Sequence, residues 1–337
     1  MSDLPFGRSR RDFMRVAVTA ASAASLPWLG QAQTPDGAAG ATRPGASSGD
    51  AAVSAPGGTQ LILLGTKGGP TPSALRAAPA NVLLVDGQPY VVDCGNGVAL
   101  QLTKAGIKLP AIRDIFLTHH HSDHNADLVN LVFLAWASGL NTPVHLYGPP
   151  RLERMVDDFV DMNAVDLEVR AREEGRPPFR PLIHTHEFDT PRVVLENDQV
   201  RVTATLVDHY TIKPAFAYRF ETRNRTVVFS GDTRYDEDLA RFAKGADVLV
   251  HEVMYLPALE KLMKTVDNAP TLLDHLLKAH TTTGQVGKVA AAAGVKTLVL
   301  SHFVPGGDPS LTDEIWAADV RKHFDGEIVV GKDLMRI

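Results

Sequence analysis

Seven consecutive residues, Thr118-His119-His120-His121-Ser122-Asp123-His124, carry four imidazoles and one carboxylate. In an extended turn alternate residues point the same way, so His119 and His121 can share one ion while His120 faces elsewhere. Asp123 and His124 lie one step further on and can reach a second ion. Neutral imidazole nitrogen and carboxylate oxygen suit zinc, and imidazole also suits iron or nickel. The only cysteine, Cys94, rules out an internal disulfide and any Cys-rich cluster. A short His tract can arise by accident, but His209, Asp232 and His302 follow downstream, each at the end of an apolar run.

The elements that must position these residues are mostly short apolar runs. Gln60–Gly65 reads as a buried strand. Asn81–Val85 and Tyr90–Asp93 flank Asp86-Gly87 as a hairpin. Ile112–Thr118 and Val144–Tyr147 read as strands, 124–139 and Arg151–Asn163 as helices. Further strands are expected at Val200–Val207, Ala215–Glu221, Thr226–Ser230, Asp247–His251, Thr297–Ser301 and Ile328–Val330, with helices at 236–244, 256–278, 283–293 and 311–323. The polar segment 164–187 yields no assigned element. Within it His184 and His186 mimic a metal pair, but no carboxylate follows at ligand spacing, and they read as loop residues. His251 reads as a strand-end packing residue; His145, His275 and His323 have no special context. Early hairpins followed by mixed strands and helices imply two packed sheets with helices outside.

The string His119-x-His121-x-Asp123-His124, with His209, Asp232 and His302 in that order, resembles the metallo-β-lactamase superfamily over roughly residues 59–337. The resemblance implies an α/β fold, an αββα four-layer sandwich. It places His119, His121 and His209 on a first metal, Asp123, His124 and His302 on a second, and Asp232 between them. Asp93-Cys94-Gly95-Asn96-Gly97 looks like the family's Asp-x-Gly-x-Gly turn, whose Asp braces the ligand loop. Two divalent ions, expected to be Zn2+ and held roughly 3.5–4 Å apart, would lower the pKa of a shared water and supply hydroxide near neutral pH.

Leu64-Gly65-Thr66, His251-Glu252 and Ala279-His280-Thr281-Thr282 are similar to motifs of the branch that holds ribonuclease Z and the zinc-type arylsulfatases. That likeness implies that His280 donates a proton to the leaving group and that Glu252 orients it, a pairing in which the carboxylate raises the imidazole pKa. Tyr218-Arg219-Phe220-Glu221, Val250-His251-Glu252-Val253 and Val330-Gly331-Lys332-Asp333-Leu334 extend the likeness to the arylsulfatases. The gap from Tyr210 to Gly231 leaves no room for the basic arm with which ribonuclease Z grips transfer RNA. The expectation is therefore hydrolysis of a small anionic oxyacid ester, an aryl sulfate first, by a metal-bridging hydroxide. A phosphodiester, or a lactone or carboxylic ester, is the alternative on the same site, and a non-catalytic metal-binding protein is the alternative of another class. Tyr210, Met254, Tyr255, Leu256, Phe303 and Val304 would wall the pocket.

The formal net charge is −5, and the first 32 residues hold four Arg against two Asp, so the body beyond them is at −7. An acidic body argues against a nucleic-acid partner, because phosphate binding rests on Lys and Arg. Ser9-Arg10-Arg11-Asp12-Phe13 precedes a modest apolar stretch, Val16–Leu29, and resembles a bacterial twin-arginine signal. Residues 1–32 are expected to engage that translocation machinery and 33–58 to be a Gly/Ala/Pro linker. The expected location is the periplasm or beyond, with no stable membrane span.

Overall fold

The computed structural model describes residues 57–337, so the expected signal and nearly all of the expected linker lie outside the described residues. Thirteen strands form two sheets. The first holds β1 (Thr59–Gly65), β2 (Ala80–Val85), β3 (Gln88–Val92), β4 (Asp114–Phe116), β5 (Val144–Gly148) and β6 (Ile183–Glu187), in that order. The second runs, in spatial order, β13 (Glu327–Val330), β12 (Thr297–Val304), β11 (Val248–Met254), β10 (Thr226–Phe229), β9 (Ile212–Thr222), β8 (Val200–His209) and β7 (Arg192–Glu196). Each sheet is mixed. The first is antiparallel from β1 to β3 and parallel from β3 to β6. The second is antiparallel from β7 to β10 and parallel from β10 to β13.

The period-2 geometry of a strand explains the layers. In β1, Leu61 and Leu63 enter the core between the sheets, while Ile62 and Leu64 face the helices outside. The inner core continues through Phe116, Phe216, Tyr218 and Phe220, with Phe116 edge-on to Phe220 at 5.1 Å. Outside the first sheet, Leu102, Leu131, Trp136 and Val156 pack on Val91, Ile115 and Leu146. Outside the second, Leu239, Val286, Val289 and Trp316 pack on Leu249, Leu298 and Phe303. Strands covered on both faces become continuous apolar runs, which is why β11 and β12 are buried at every position. The result is the αββα sandwich.

Several boundaries differ from the sequence reading. Residues 164–187 form a helix (Ala164–Glu174), a 3-10 turn and β6. Strand β7 is an exposed edge that the reading lacked. The helix expected over 256–278 is two, Leu256–Leu262 and Ala269–Ala279, the second with a proline in its first turn. Proline fits the first turn of a helix and breaks an interior, so Pro270 restarts the chain there. No helix among the described residues is long and apolar enough to cross a membrane.

Candidate metal centre

Asp93 organises the ligand loop. It follows β3 with φ of 64°, and its carboxylate accepts the Thr118 backbone N–H at 2.8 Å and the Thr118 hydroxyl at 3.0 Å. Its Oδ2 accepts His124 Nδ1–H at 2.8 Å. The His119 Nδ1–H in turn donates to the Thr118 hydroxyl at 3.0 Å. One buried carboxylate thus fixes two imidazoles so that each turns Nε2 inward, the usual service of an outer partner to a metal ligand. His209, at the end of β8, donates Nδ1–H to the Ala279 carbonyl at 3.0 Å and also presents Nε2. Asp232 follows β10 through Gly231, whose φ is +60° and where a Cβ would stand 2.5 Å from the Phe216 carbonyl oxygen. Only glycine takes that turn without strain. His302 lies in β12 with φ of 48°, beside the register shift between β11 and β12.

All seven residues named from the sequence converge. His119, His121, His209 and Asp232 form one group with ligand atoms mutually within 4.8 Å, and Asp123, His124 and His302 form another. Asp232 Oδ2 is the hub, 3.1 Å from His302 Nε2, 3.4 Å from His124 Nε2, 3.8 Å from His119 Nε2 and 3.9 Å from His209 Nε2. Asp123 Oδ2 accepts the Gly69 N–H at 2.9 Å and lies 3.4 Å from His302 Nε2. His120 turns away to the Pro150 carbonyl at 2.9 Å, as expected.

The donor set fits divalent cations. His119 and His209 spend their N–H groups outward, so both aim lone pairs at His121 Nδ1, 3.1 and 3.0 Å away. A neutral imidazole nitrogen can donate only one proton, so His121 can fully satisfy one of the two lone pairs aimed at it, and a cation among the three nitrogens would satisfy all of them. Burial, with the neighbouring imidazoles, pushes His119 far down and His121 to about 4, and burial also lowers His209. These rings are neutral and ready to ligate. Burial opposes charge on Asp123 and Asp232, but the adjacent His124 and His302 outweigh it and hold both carboxyls below their usual range. Burial likewise opposes charge on His124, and Asp232, Asp93 and Asp123 outweigh it, so this ring carries the proton that a metal ion would displace.

Beside the group lies the Glu252–His280 pair. Glu252 Oε1 accepts His280 Nδ1–H at 3.0 Å and the Thr233 N–H at 3.0 Å. Burial lowers the His280 pKa, but Glu252 overrides it and raises the ring to about 9. His280 Nδ1 is engaged, so its other nitrogen faces Asp232 and His302. His251 is fully buried and donates Nδ1–H to the Glu252 carbonyl at 2.7 Å.

Three features escaped sequence reading. Lys67, 7% exposed, donates Nζ–H to the Gly68 and Gly69 carbonyls at 2.9 and 3.0 Å and so shapes the loop that holds Asp123. Gly68 packs on the His302 ring, where a Cβ would come within 2.8 Å; the Gly68-Gly69 pair after a strand was the available signal. His275 stands at the rim, its centroid 6.4 Å from His121 and 6.2 Å from Tyr210. Of the expected pocket walls, Tyr210 is 38% exposed at the rim, but Met254 and Phe303 are core residues at 0%. Strand periodicity sends them away from the opening.

Residues 89–303 match the beta-lactamase superfamily domain. The chain belongs to that superfamily. Over 281 residues it is 32% identical to Ribonuclease Z of Mycolicibacterium gilvum, spanning 82% of this chain and 95% of the relative. It is 30% identical to Ribonuclease Z of Mycobacterium bovis, over 82% and 97%. Among solved structures, human tRNase Z, short form, shares the fold with a TM-score of 0.61 at 22% identity, over 82% of this chain and 98% of its own. The metallo-beta-lactamase fold protein YhfI of Bacillus subtilis gives 0.60 at 20%, over 83% and 98%. The chain is therefore a metal-dependent hydrolase of the branch that includes the ribonuclease Z proteins.

These relatives overturn the aryl sulfate expectation. Two of the residues that suggested it, Tyr218 and Asp333, serve the scaffold. Tyr218 is buried, with its hydroxyl on the Leu117 carbonyl at 2.8 Å. Asp333 accepts the Thr66 N–H at 3.0 Å and ties the C-terminus to the first strand. Gly65, in the motif read as common to the whole branch, is also held by the scaffold, since a Cβ there would stand 1.9 Å from the Ala78 carbonyl oxygen. Such constraints hold for any substrate. The relatives equally overturn the expectation of no nucleic-acid partner. Net charge sums over the whole surface, whereas a phosphate meets only the local field, which bound ions dominate. The missing arm does not separate the chain from ribonuclease Z either, since 95% of that relative is matched.

The bracing role of Asp93 has a measurable consequence. Asp93→Asn keeps the volume but removes the charge that holds His124 and, through Thr118, His119. Metal affinity is expected to fall about 10–100-fold, read by competition with a chelator. Unchanged affinity would show that Asp93 does not brace the metal-binding imidazoles.

Proposed function

We propose that the chain is a phosphodiesterase acting on RNA through a dinuclear zinc centre held by His119, His121, Asp123, His124, His209, Asp232 and His302. The observation that carries this reading is the meeting of the two ligand groups at Asp232 Oδ2, which lies within 3.9 Å of four imidazole nitrogens, next to an imidazole that a buried carboxylate keeps protonated. Identity of 32% to a protein named Ribonuclease Z across most of both chains supports the substrate class. When bound, divalent ions supply Lewis acidity toward a phosphoryl oxygen and lower the pKa of a coordinated water.

The remaining work falls to the chain. Asp232 spaces the two ligand groups. Asp93 and the Ala279 carbonyl set the imidazole tautomers. Gly69 N–H holds Asp123. His280 offers its proton to the departing ribose oxygen, a poor leaving group that needs an acid, and Glu252 keeps that proton in place. Tyr210 and His275 stand at the mouth, where a flanking nucleotide would stack. The test is cleavage of a transfer RNA transcript by zinc-loaded protein. A defined product, absent after chelation and restored by zinc, supports the reading; an intact transcript beside rapid hydrolysis of a small diester would replace RNA with a small-molecule substrate.

We propose in addition that the chain is exported through its N-terminal Arg10-Arg11 signal. With both changed to Lys, a bacterial host is expected to retain the protein in its cytoplasmic fraction; unaltered fractionation would show that the segment is not an address.

A further inference from the structure

We propose that His145, His184 and His186 form a separate binding site for a transition-metal dication at the open edge of the first sheet. Strands β5 and β6 run parallel, with His145 opposite His184 and Tyr147 opposite His186. Residues two apart on a strand share a face, so all three imidazoles lie on one face. The segment reads as polar in sequence, and only the pairing of β5 with β6 brings His145 to the other two.

Two of the three imidazoles already meet at ligand spacing. His145 Nδ1 and His186 Nε2 are 2.9 Å apart. Two imidazoles on one ion, with metal–nitrogen bonds of about 2.0–2.1 Å and angles of about 90–109°, place their nitrogens roughly 2.9–3.4 Å apart. The His184 ring stacks on His145 at 5.2 Å, is exposed, and makes no side-chain hydrogen bond among the described residues, so a rotamer change can bring its nitrogen to the other two. His119, His121 and His209 show the same close approach of ring nitrogens in the main centre. Burial, together with the neighbouring imidazoles, lowers His145 and His186 and leaves them neutral. Three imidazoles without a carboxylate among them select zinc, copper or nickel over magnesium or calcium.

The cluster is distinct from the main centre. His145 is opposite Asp114 in β4, whereas the ligand loop starts four residues later at Thr118, about 13 Å along the strand. Beside it, the Asp114 carboxyl is pushed up to about 6 by burial, against the Tyr147 hydroxyl that donates to it at 3.3 Å. An ion here would tie β6, an edge strand, to β5.

The experiment is metal counting on the full chain after equilibrium dialysis against micromolar free Zn2+, comparing wild type with His184→Gln/His186→Gln. The wild type is expected to hold three ions and the double variant two, with diester hydrolysis retained in both. On Cu2+ loading, the electron paramagnetic resonance signal of imidazole-bound copper should persist in Asp232→Ala and lose one component in the double variant. Equal stoichiometry and equal copper spectra in wild type and double variant would overturn the proposal and leave the His145–His186 contact as a hydrogen bond; loss of hydrolysis with three ions still bound would count against the catalytic reading instead.

Discussion

Changing Asp232 to alanine is expected to lower kcat/KM for a phosphodiester by about 10^3-fold or more, equivalent to about 4 kcal/mol of transition-state stabilisation. Asp232 Oδ2 lies within 3.9 Å of four imidazole nitrogens, so it belongs to both ligand groups. Its loss also leaves His119 and His209 nitrogens converging with no anion to organise an ion between them. Metal content should fall alongside activity, and excess zinc should not restore the rate. Replacement by alanine with less than a tenfold loss would show that the two groups work independently.

His280→Ala is the second large effect, and its size should depend on the leaving group. A nitrophenolate departs without help, so a nitrophenyl diester should lose little. A ribose alkoxide needs a proton, so RNA cleavage should fall about 10^2–10^4-fold. Glu252→Gln tests the same pair through pH. Glu252 raises the His280 pKa, and the working form is protonated, so activity is lost as pH rises through that pKa. Removing the carboxylate charge lowers the pKa and must move the alkaline limb of the kcat/KM profile to lower pH. A limb that stays put, or an equal loss on both substrates, assigns the pair a purely structural role.

The residues that the structure brings together at the candidate centre were legible because chemistry and strand ends coincide. His119, His209, Asp232 and His302 each follow or end an apolar run, and period-2 burial makes such runs conspicuous. The segment 164–187 was opaque for the opposite reason. Its helix buries only Leu167 and is laced by Arg170 with Asp166 and Glu174, so no apolar stripe marks it. β6 and β7 are edge strands with mostly exposed residues, and no alternation announces them. Lys67 and His275 were unreadable because their roles come from tertiary approach, one under Gly69 and the other over His121. The substrate was misread because the residues used to choose it, such as Tyr218 and Asp333, hold the sandwich together.

The most direct measurement is the steady-state hydrolysis of bis-nitrophenyl phosphate by the chain lacking residues 1–32, stripped of metal and then titrated with zinc. No turnover is expected without zinc, then a rise that requires both sites of the Asp232 centre to fill, and no rise in Asp232→Ala. Zinc-loaded protein that holds both ions and leaves the diester intact would contradict it.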